Sequence, residues 1–353
     1  MQTVQEWRVV NMGKAVKLAD IAKQMNVSTV TVSKALSGQK GVSEEMREKI
    51  KKLADELGYR QPSAARLAAK NKSYNIGVII ADHYLDKYNS FYWQMYQEVA
   101  TKAVHKECFT MLEVLTERME KEVEMPKLLK EEKADGLIVI GKVSAEYLAE
   151  LDGTAKIPLM LLDFYDESRE CDAVVTDNFY GAYLLTNYLF KMGHKEIAYV
   201  GTLLYTGSIT DRYFGYAKSL MEHGIDVRKD WVINDRDMET GRIGSPGTME
   251  LPEEMPTAFV CNSDLTASEL IKKLGEDGYC VPEDISVVGF DNYLYPGLCE
   301  VEITTYEVDM KEMARKTINT LIKKMGNESY KKGISVIDGR MVYKNSVQRI
   351  KED

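Results

Sequence analysis

The sequence predicts a small all-α headpiece followed by a large α/β body, and three observations carry that expectation. Apolar residues recur at helical spacing through residues 17–60, whereas from Tyr74 onward short apolar runs alternate with helical stretches. The charge divides at the same place: residues 1–73 hold 14 Lys and Arg against 7 Asp and Glu, and the remainder holds 32 against 48, within a chain of net charge −9. At 353 residues the chain is also too long for one ordinary domain. A basic head on an acidic body points to an anion-binding module attached to something else; a solvated charged face is the alternative on charge alone.

The headpiece reads as three helices in order. Leu18, Ile21, Ala22 and Met25 share one helical face, and Asn26-Val27-Ser28 breaks that helix. Ser28 is a good N-cap for a second segment, Thr29 to Leu36, closed by Ser37-Gly38. That segment, "TVTVSKAL", is rich in β-branched and hydroxyl residues that usually avoid helix interiors. Ser43 caps a third helix in which Met46, Ile50, Leu53 and Leu57 recur at helical intervals. Two short helices joined by a tight turn and braced by a longer one describe a helix-turn-helix unit; a plain three-helix core is the alternative. In the first reading Val27, Val32, Ala35 and Leu36 pack inward and Ala22 allows close approach. Thr29, Val30, Ser33 and Lys34 then stay outside, where small polar side chains suit a DNA major groove and its phosphates. Pro62-Ser63 begins an Ala-rich stretch about two turns long, too short to hold as a helix unless docked, so it is either a hinge helix or a plain linker.

In the body, residues 75–81, 108–115, 135–141, 157–163, 172–177, 196–201, 257–261 and 285–291 read as buried strands separated by helices. Repeated βα units imply parallel sheets covered on both faces. Ligands of such sheets bind beyond the carboxyl ends of strands, which nominates Asp82, Asp163, Ser263, Asp264 and Asp291.

Several classes are disfavoured. No apolar run approaches the ~20 residues of a membrane span, and the first residues contain no secretory apolar segment. Five widely spaced cysteines without a CxxC fit free thiols in a reducing cytoplasm better than a disulfide framework or a zinc site. No phosphate loop, GxGxxG, GxSxG or HExxH occurs, and the four histidines lack ligand spacing, so the expectation is a protein that is not an enzyme and needs no metal or cofactor.

The run "LADIAKQMNVSTVTVSKALSGQKGVSEEMREKIKKLADELGYRQ" resembles, without a gap, the DNA-binding headpiece of the LacI/GalR (lactose-repressor) family of bacterial transcription regulators. The resemblance continues through "VVTDNFYGAYLLTNYLFKMGHKEIAYVG", "DRYFGYAKSLMEHGI" and "AFVCNSDLTASELIKKLGEDGYCVPEDISVVGFDN". It implies a helix-turn-helix headpiece (15–60), a hinge helix or linker (61–73), and a periplasmic-binding-protein-like body of two lobes joined by three crossovers. Lobe one would comprise 74–173 and 306–324, and lobe two 174–305 and 325–353. Residues 1–14 precede the match.

By position, the resemblance places Thr29, Val30 and Lys34 at bases and Ser28, Thr31 and Ser33 mainly at phosphates. The family's minor-groove leucine falls on Ala68, with Leu67 one residue early; either Leu67 takes the wedge role or the operator is bent less. Effector contacts would be Asp163, Ser208, Arg212, Ser263 and Asp291, with Phe91, Tyr92 and Tyr293 lining the cleft and Asp235, Arg236 and Arg242 near it. Carboxylates and an arginine fork suit a sugar. A structural reading competes for each: Arg212 as an ion-pair partner, Asp163 and Asp291 as caps. His194 reads as a turn residue. The implied protein is a homodimeric repressor of carbohydrate-utilisation genes that binds double-stranded operator DNA and is gated by a sugar or glycoside. The runner-up is a global regulator with a degenerate pocket, controlled by a protein co-effector.

Overall fold

A computed structural model of the chain describes residues 17–36, 39–57, 59, 73–85, 90–166, 168–238, 241–245 and 247–350. The expected hinge, including Leu67, and the closing Ser37-Gly38 lie outside the described residues. Two compact units divide between Ser73 and Tyr74.

The first unit contains helices α1 (Leu18–Met25), α2 (Thr29–Leu36) and α3 (Glu44–Leu57). Asn26 ends α1 in the left-handed conformation (φ 53°), which asparagine tolerates better than most residues, and Val27 N–H still reaches the Ala22 carbonyl at 3.0 Å. The chain therefore turns tightly into α2, whose cap is the Ser28 hydroxyl accepting from Thr31 N–H at 3.0 Å. Eight-residue helices are unstable alone in water. Here they hold together because Ile21, Ala22, Val32, Ala35, Ile50, Ala54 and Leu57 form one buried cluster. Each aliphatic side chain fully buried there contributes about 1.5–3 kcal/mol.

The second unit is built on two parallel sheets. The first has the order β11-β5-β4-β3-β1-β2, and the second β7-β6-β8-β9. In chain order these strands are β1 (Asn75–Ala81), β2 (Phe109–Leu115), β3 (Gly136–Ile140), β4 (Leu159–Leu162), β5 (Ala173–Thr176), β6 (Ile197–Val200), β7 (Val232–Ile233), β8 (Ala258–Cys261), β9 (Ser286–Val288) and β11 (Ile334–Ile337). β10 (Thr305–Glu307) and β12 (Arg340–Val342) form a separate antiparallel ribbon. Helices α4 (Phe91–Val104), α5 (Glu117–Lys121), α6 (Lys127–Lys130), α7 (Ala145–Thr154), α8 (Asn178–Lys191), α9 (Gly207–Glu222), α10 (Asp264–Glu276) and α11 (Met310–Met325) complete it.

The inner strands, such as β1, β3 and β8, are almost continuously apolar because both faces are covered. In the first sheet Val78, Ile80, Ile138, Ile140 and Leu162 join Met95 and Val99 of α4 and Met313 and Leu321 of α11. The alternate positions Ile79, Leu137, Val139 and Leu161 join Tyr147, Leu148 and Leu151 of α7. The second sheet divides in the same way: Val200, Phe259 and Val287 pack with Ala267, Leu270 and Leu274 of α10, and Tyr199 and Val260 face the other way with Leu185 of α8 and Tyr216 of α9. Among the described residues no helix is long and apolar enough to cross a membrane.

The chain passes between lobes three times, after β5, after β10 and after β11. The last passage corrects the expected division, which returned residues 325–353 to lobe two. Residues 334–337 instead pair in parallel with β5 in the first sheet. Asp172 fixes this return segment: it accepts from Lys324 Nζ at 2.7 Å, Tyr330 Oη at 2.9 Å and Gly333 N–H at 2.8 Å. β5 itself also lies in the first sheet, so the first passage falls after Thr176 rather than Ala173. At the third passage Gly339 N–H donates to the Tyr306 hydroxyl at 2.7 Å, and a Cβ there would collide with the Glu307 carbonyl.

Candidate functional site

The headpiece sorts the residues of α2 by face. Val32 and Ala35 are fully buried, whereas Ser28, Thr29, Ser33 and Lys34 are exposed and Val30 is 60% exposed. Thr31 is half-buried, its hydroxyl 2.9 Å from that of Ser28. The face left outside is small and polar apart from Val30, and it begins at a helix N-terminus, where free N–H groups favour phosphate. A residue the sequence reading passed over secures the other end. Arg47 of α3, 9% exposed, donates to the Ala35 carbonyl at 3.2 Å, the Lys34 carbonyl at 3.5 Å and the Gln39 carbonyl at 3.1 Å. Two of these carbonyls belong to the last turn of α2, where helical partners run out, and the third lies in the segment that follows it.

Between the lobes of the body lies a cavity of about 280 Å³. Tyr92, Lys142, Asp163, Tyr165, Asn178 and Ser208 are among its lining residues. Most stand where the strand-end rule puts ligand groups: Lys142 and Asp163 follow β3 and β4, and Asn178 opens α8 just past β5. Gly141 leads into Lys142 with φ 78°, and a Cβ there would sit 2.7 Å from the Tyr84 ring and 3.0 Å from Tyr92, so only glycine fits. Tyr84 and Tyr92 pack with ring centroids 4.3 Å apart. The lobes touch across the cleft: Lys142 Nζ donates to the Tyr205 carbonyl at 3.0 Å, and Phe91 meets Tyr293 edge-on at 6.3 Å.

Arg212 is the hub. It is 6% exposed, and its guanidinium carbon lies 3.7 Å above the centroid of the Phe290 ring. Nε donates to Asn178 Oδ1 at 2.8 Å, Nη1 donates to the Asn262 carbonyl, and Nη2 stands 3.5 Å from Asp291 Oδ1. Burial pushes the Asp291 carboxyl up to about 7 against the pull of Arg212. Asp163 is likewise raised by burial, to about 6, although Arg212 and the Tyr92 hydroxyl favour its charged form. Its Oδ1 is buried and has no hydrogen-bond partner among the described residues. Both residues also hold positive φ, 69° for Asp163 and 110° for Asp291, backbone strain of the kind that gathers at binding sites.

A second polar network lies beside the first. Asp235 is fully buried and accepts from Thr202 N–H at 2.9 Å, Asn262 Nδ2 at 2.8 Å, Thr266 Oγ1 at 2.8 Å and Arg236 Nη2 at 2.7 Å. Despite burial, these donors hold its carboxyl well below the usual carboxylate range. Arg236 also faces the Tyr205 ring, 5.2 Å away, whereas Arg242 is exposed.

The expected effector residues therefore fare differently. Asp163 and Ser208 line the cavity, and Arg212 and Asp291 are joined to it through Asn178. Ser263 does not line it: its hydroxyl caps α10, accepting from Thr266 N–H at 3.1 Å and donating to Thr266 Oγ1 at 3.0 Å. Asn178, Asn262 and Phe290 escaped the sequence reading. For Asn178 the signal was available, since it follows a strand at its carboxyl end. His194, bonded to Thr257 Oγ1 at 3.0 Å and the Gln348 carbonyl at 3.1 Å, ties a turn to the C-terminal segment.

A helix-turn-helix unit followed by a two-lobed parallel α/β body is the architecture of a class of DNA-binding transcription regulators. Residues 17–62 match the family model described as bacterial regulatory proteins of the lacI family, and residues 186–347 match that of the periplasmic binding protein-like domain. The chain thus holds a lacI-family helix-turn-helix region followed by a periplasmic-binding-protein-like region. It is similar to the HTH-type transcriptional repressor PurR of Vibrio atlanticus (28% identity over 94% of this chain and 99% of the relative) and of Vibrio campbellii (26%, with the same coverage). The NTD biosynthesis operon regulator NtdR of Bacillus subtilis is 28% identical over 93% of this chain and 98% of its own. Among solved structures, the lac repressor dimer bound to operator and an anti-inducer shares the fold with a TM-score of 0.70 at 20% identity, covering 95% of this chain and all of that one. The CelR–cellobiose complex does so at 0.65 and 18%, covering 94% and 99%.

Proposed function

We propose that this chain is a cytoplasmic, homodimeric, sequence-specific repressor whose affinity for operator DNA is set by a small polyhydroxylated effector, a sugar or glycoside, bound between the lobes. The observation that carries the reading is Arg212, buried on Phe290 between Asn178 and Asp291 at the edge of a ligand-sized cavity. A guanidinium beside carboxylates offers donors and acceptors at hydroxyl spacing over an aromatic face. That intact set speaks against a degenerate pocket and so against control by a protein co-effector alone.

In this reading Thr29, Val30 and Lys34 touch base edges, and Ser28, Thr31 and Ser33 hold phosphates, in successive major grooves of a near-palindrome. Leu67 is the proposed minor-groove wedge. Ligand binding changes how the two lobes meet at contacts such as Lys142 with Tyr205, and that difference biases the DNA-bound dimer. The test is a thermal-shift panel of mono- and disaccharides with and without operator DNA. A ligand-induced shift that disappears in Arg212→Ala supports the reading, and a shift unaffected by that substitution sinks it.

A further inference from the structure

Among the described residues, the lining of the cleft holds a buried acceptor without a hydrogen-bond partner. Asp163 is 6% exposed, lines the cavity, and has a buried Oδ1 with no hydrogen-bond partner. Among the described residues, the cations near it make their hydrogen bonds elsewhere. The three nitrogens of Arg212 are directed to Asn178, the Asn262 carbonyl and Asp291. Lys142 donates to the Tyr205 carbonyl, and Arg236 to Asp235 and Asn262. Asp163 and Asp291 thus both feel the charge of Arg212, which forms an ion pair with Asp291 and not with Asp163.

A bound hydroxyl would supply the missing hydrogen bond but leave the second negative charge desolvated. A bound ammonium supplies both donor and charge, and charge-assisted bonds of this kind are roughly twice as strong as neutral ones. We propose that the effector is an amine-bearing polyol, such as an amino sugar, whose ammonium group sits on Asp163 Oδ1. This rests on the reading of the cleft as the effector site and narrows its ligand class.

The test uses the full-length protein and matched trios: 2-amino and 6-amino derivatives of glucose and galactose, their N-acetyl forms, and the parent sugars. Apparent affinities are read from thermal-shift titrations of wild type and Asp163→Asn. Asparagine tolerates the left-handed backbone at this position and keeps the shape while removing the charge. The expected result is that at least one amine binds about tenfold more tightly than its neutral partners, and that Asp163→Asn lowers amine affinity about tenfold relative to those neutral partners, erasing the preference. Neutral members binding as well as or better than amines would overturn the inference and leave the effector cleft standing. An amine preference that survives Asp163→Asn would overturn it too, since the ammonium would then sit elsewhere. Silence across every trio counts against both the inference and the sugar-gated reading beneath it.

Discussion

Asp235 and Asp163 are both buried carboxylates just past the end of a strand, one in each lobe, and they are in opposite condition. Asp235 accepts from four neighbours and stays charged. Asp163 leaves an oxygen empty and is pushed toward its neutral form. In the proposed reading, the difference separates groups that hold the lobe together from groups kept available for a ligand. Proteins accept the cost of unsatisfied groups mainly where function requires it.

The largest effect expected from breaking this contrast is in Asp235→Ala. It strands Arg236 and the Asn262 and Thr266 donors in a dry interior, and should cost about 3–5 kcal/mol in urea unfolding. Because the folded carboxyl of Asp235 is depressed, its contribution is present above the ordinary Asp range and is lost as the pH falls through its folded value. Asp163→Asn should do the reverse. The Asp163 carboxyl is raised to about 6, so the ligand-free protein loses stability as pH climbs from about 4 through 6, and the asparagine variant should be about 1–2 kcal/mol more stable at pH 7.5 with a flatter pH profile. A destabilised variant there would mean that Asp163 is a structural group after all.

The headpiece offers the same contrast with smaller expected effects. Arg47→Met removes a buried guanidinium from the end of α2 and should cost about 1–2 kcal/mol. Operator affinity, read by fluorescence anisotropy, should fall for all sequences without a change in the preferred one. Val30→Ala, at an exposed site, should stay within about 0.5 kcal/mol in stability yet alter which operators are selected from a randomised pool. Unchanged selection would remove Val30 from the base-reading set.

Much of this was legible in the sequence where signals were long or local. Eight strands announced themselves as largely apolar runs, and the three headpiece helices by period and caps. What escaped was short: β7, β10, β11 and β12 span two to four residues each. Missing β11 put the third crossover in the wrong place. In the site, the strand-end rule found Asp163 and Asp291, but whether Ser263 turns to a ligand or caps its own helix is decided by Thr266, one helical turn on. Asn178 and Asn262 gain their roles from Arg212, 34 and 50 residues away in the chain, and no local pattern carries that.

The grip of Arg47 on Lys34, Ala35 and Gln39 has a consequence for control. With its tail fastened to the bracing helix, the reading helix has little freedom to change shape by itself. A signal arriving from elsewhere in the molecule can then grant or withhold a hearing, but it cannot rewrite the words that are recognised. If residues 29, 30 and 34 read bases and the cleft binds the effector, as proposed, a new target comes from the first set and a new stimulus from the second, so the two can drift independently.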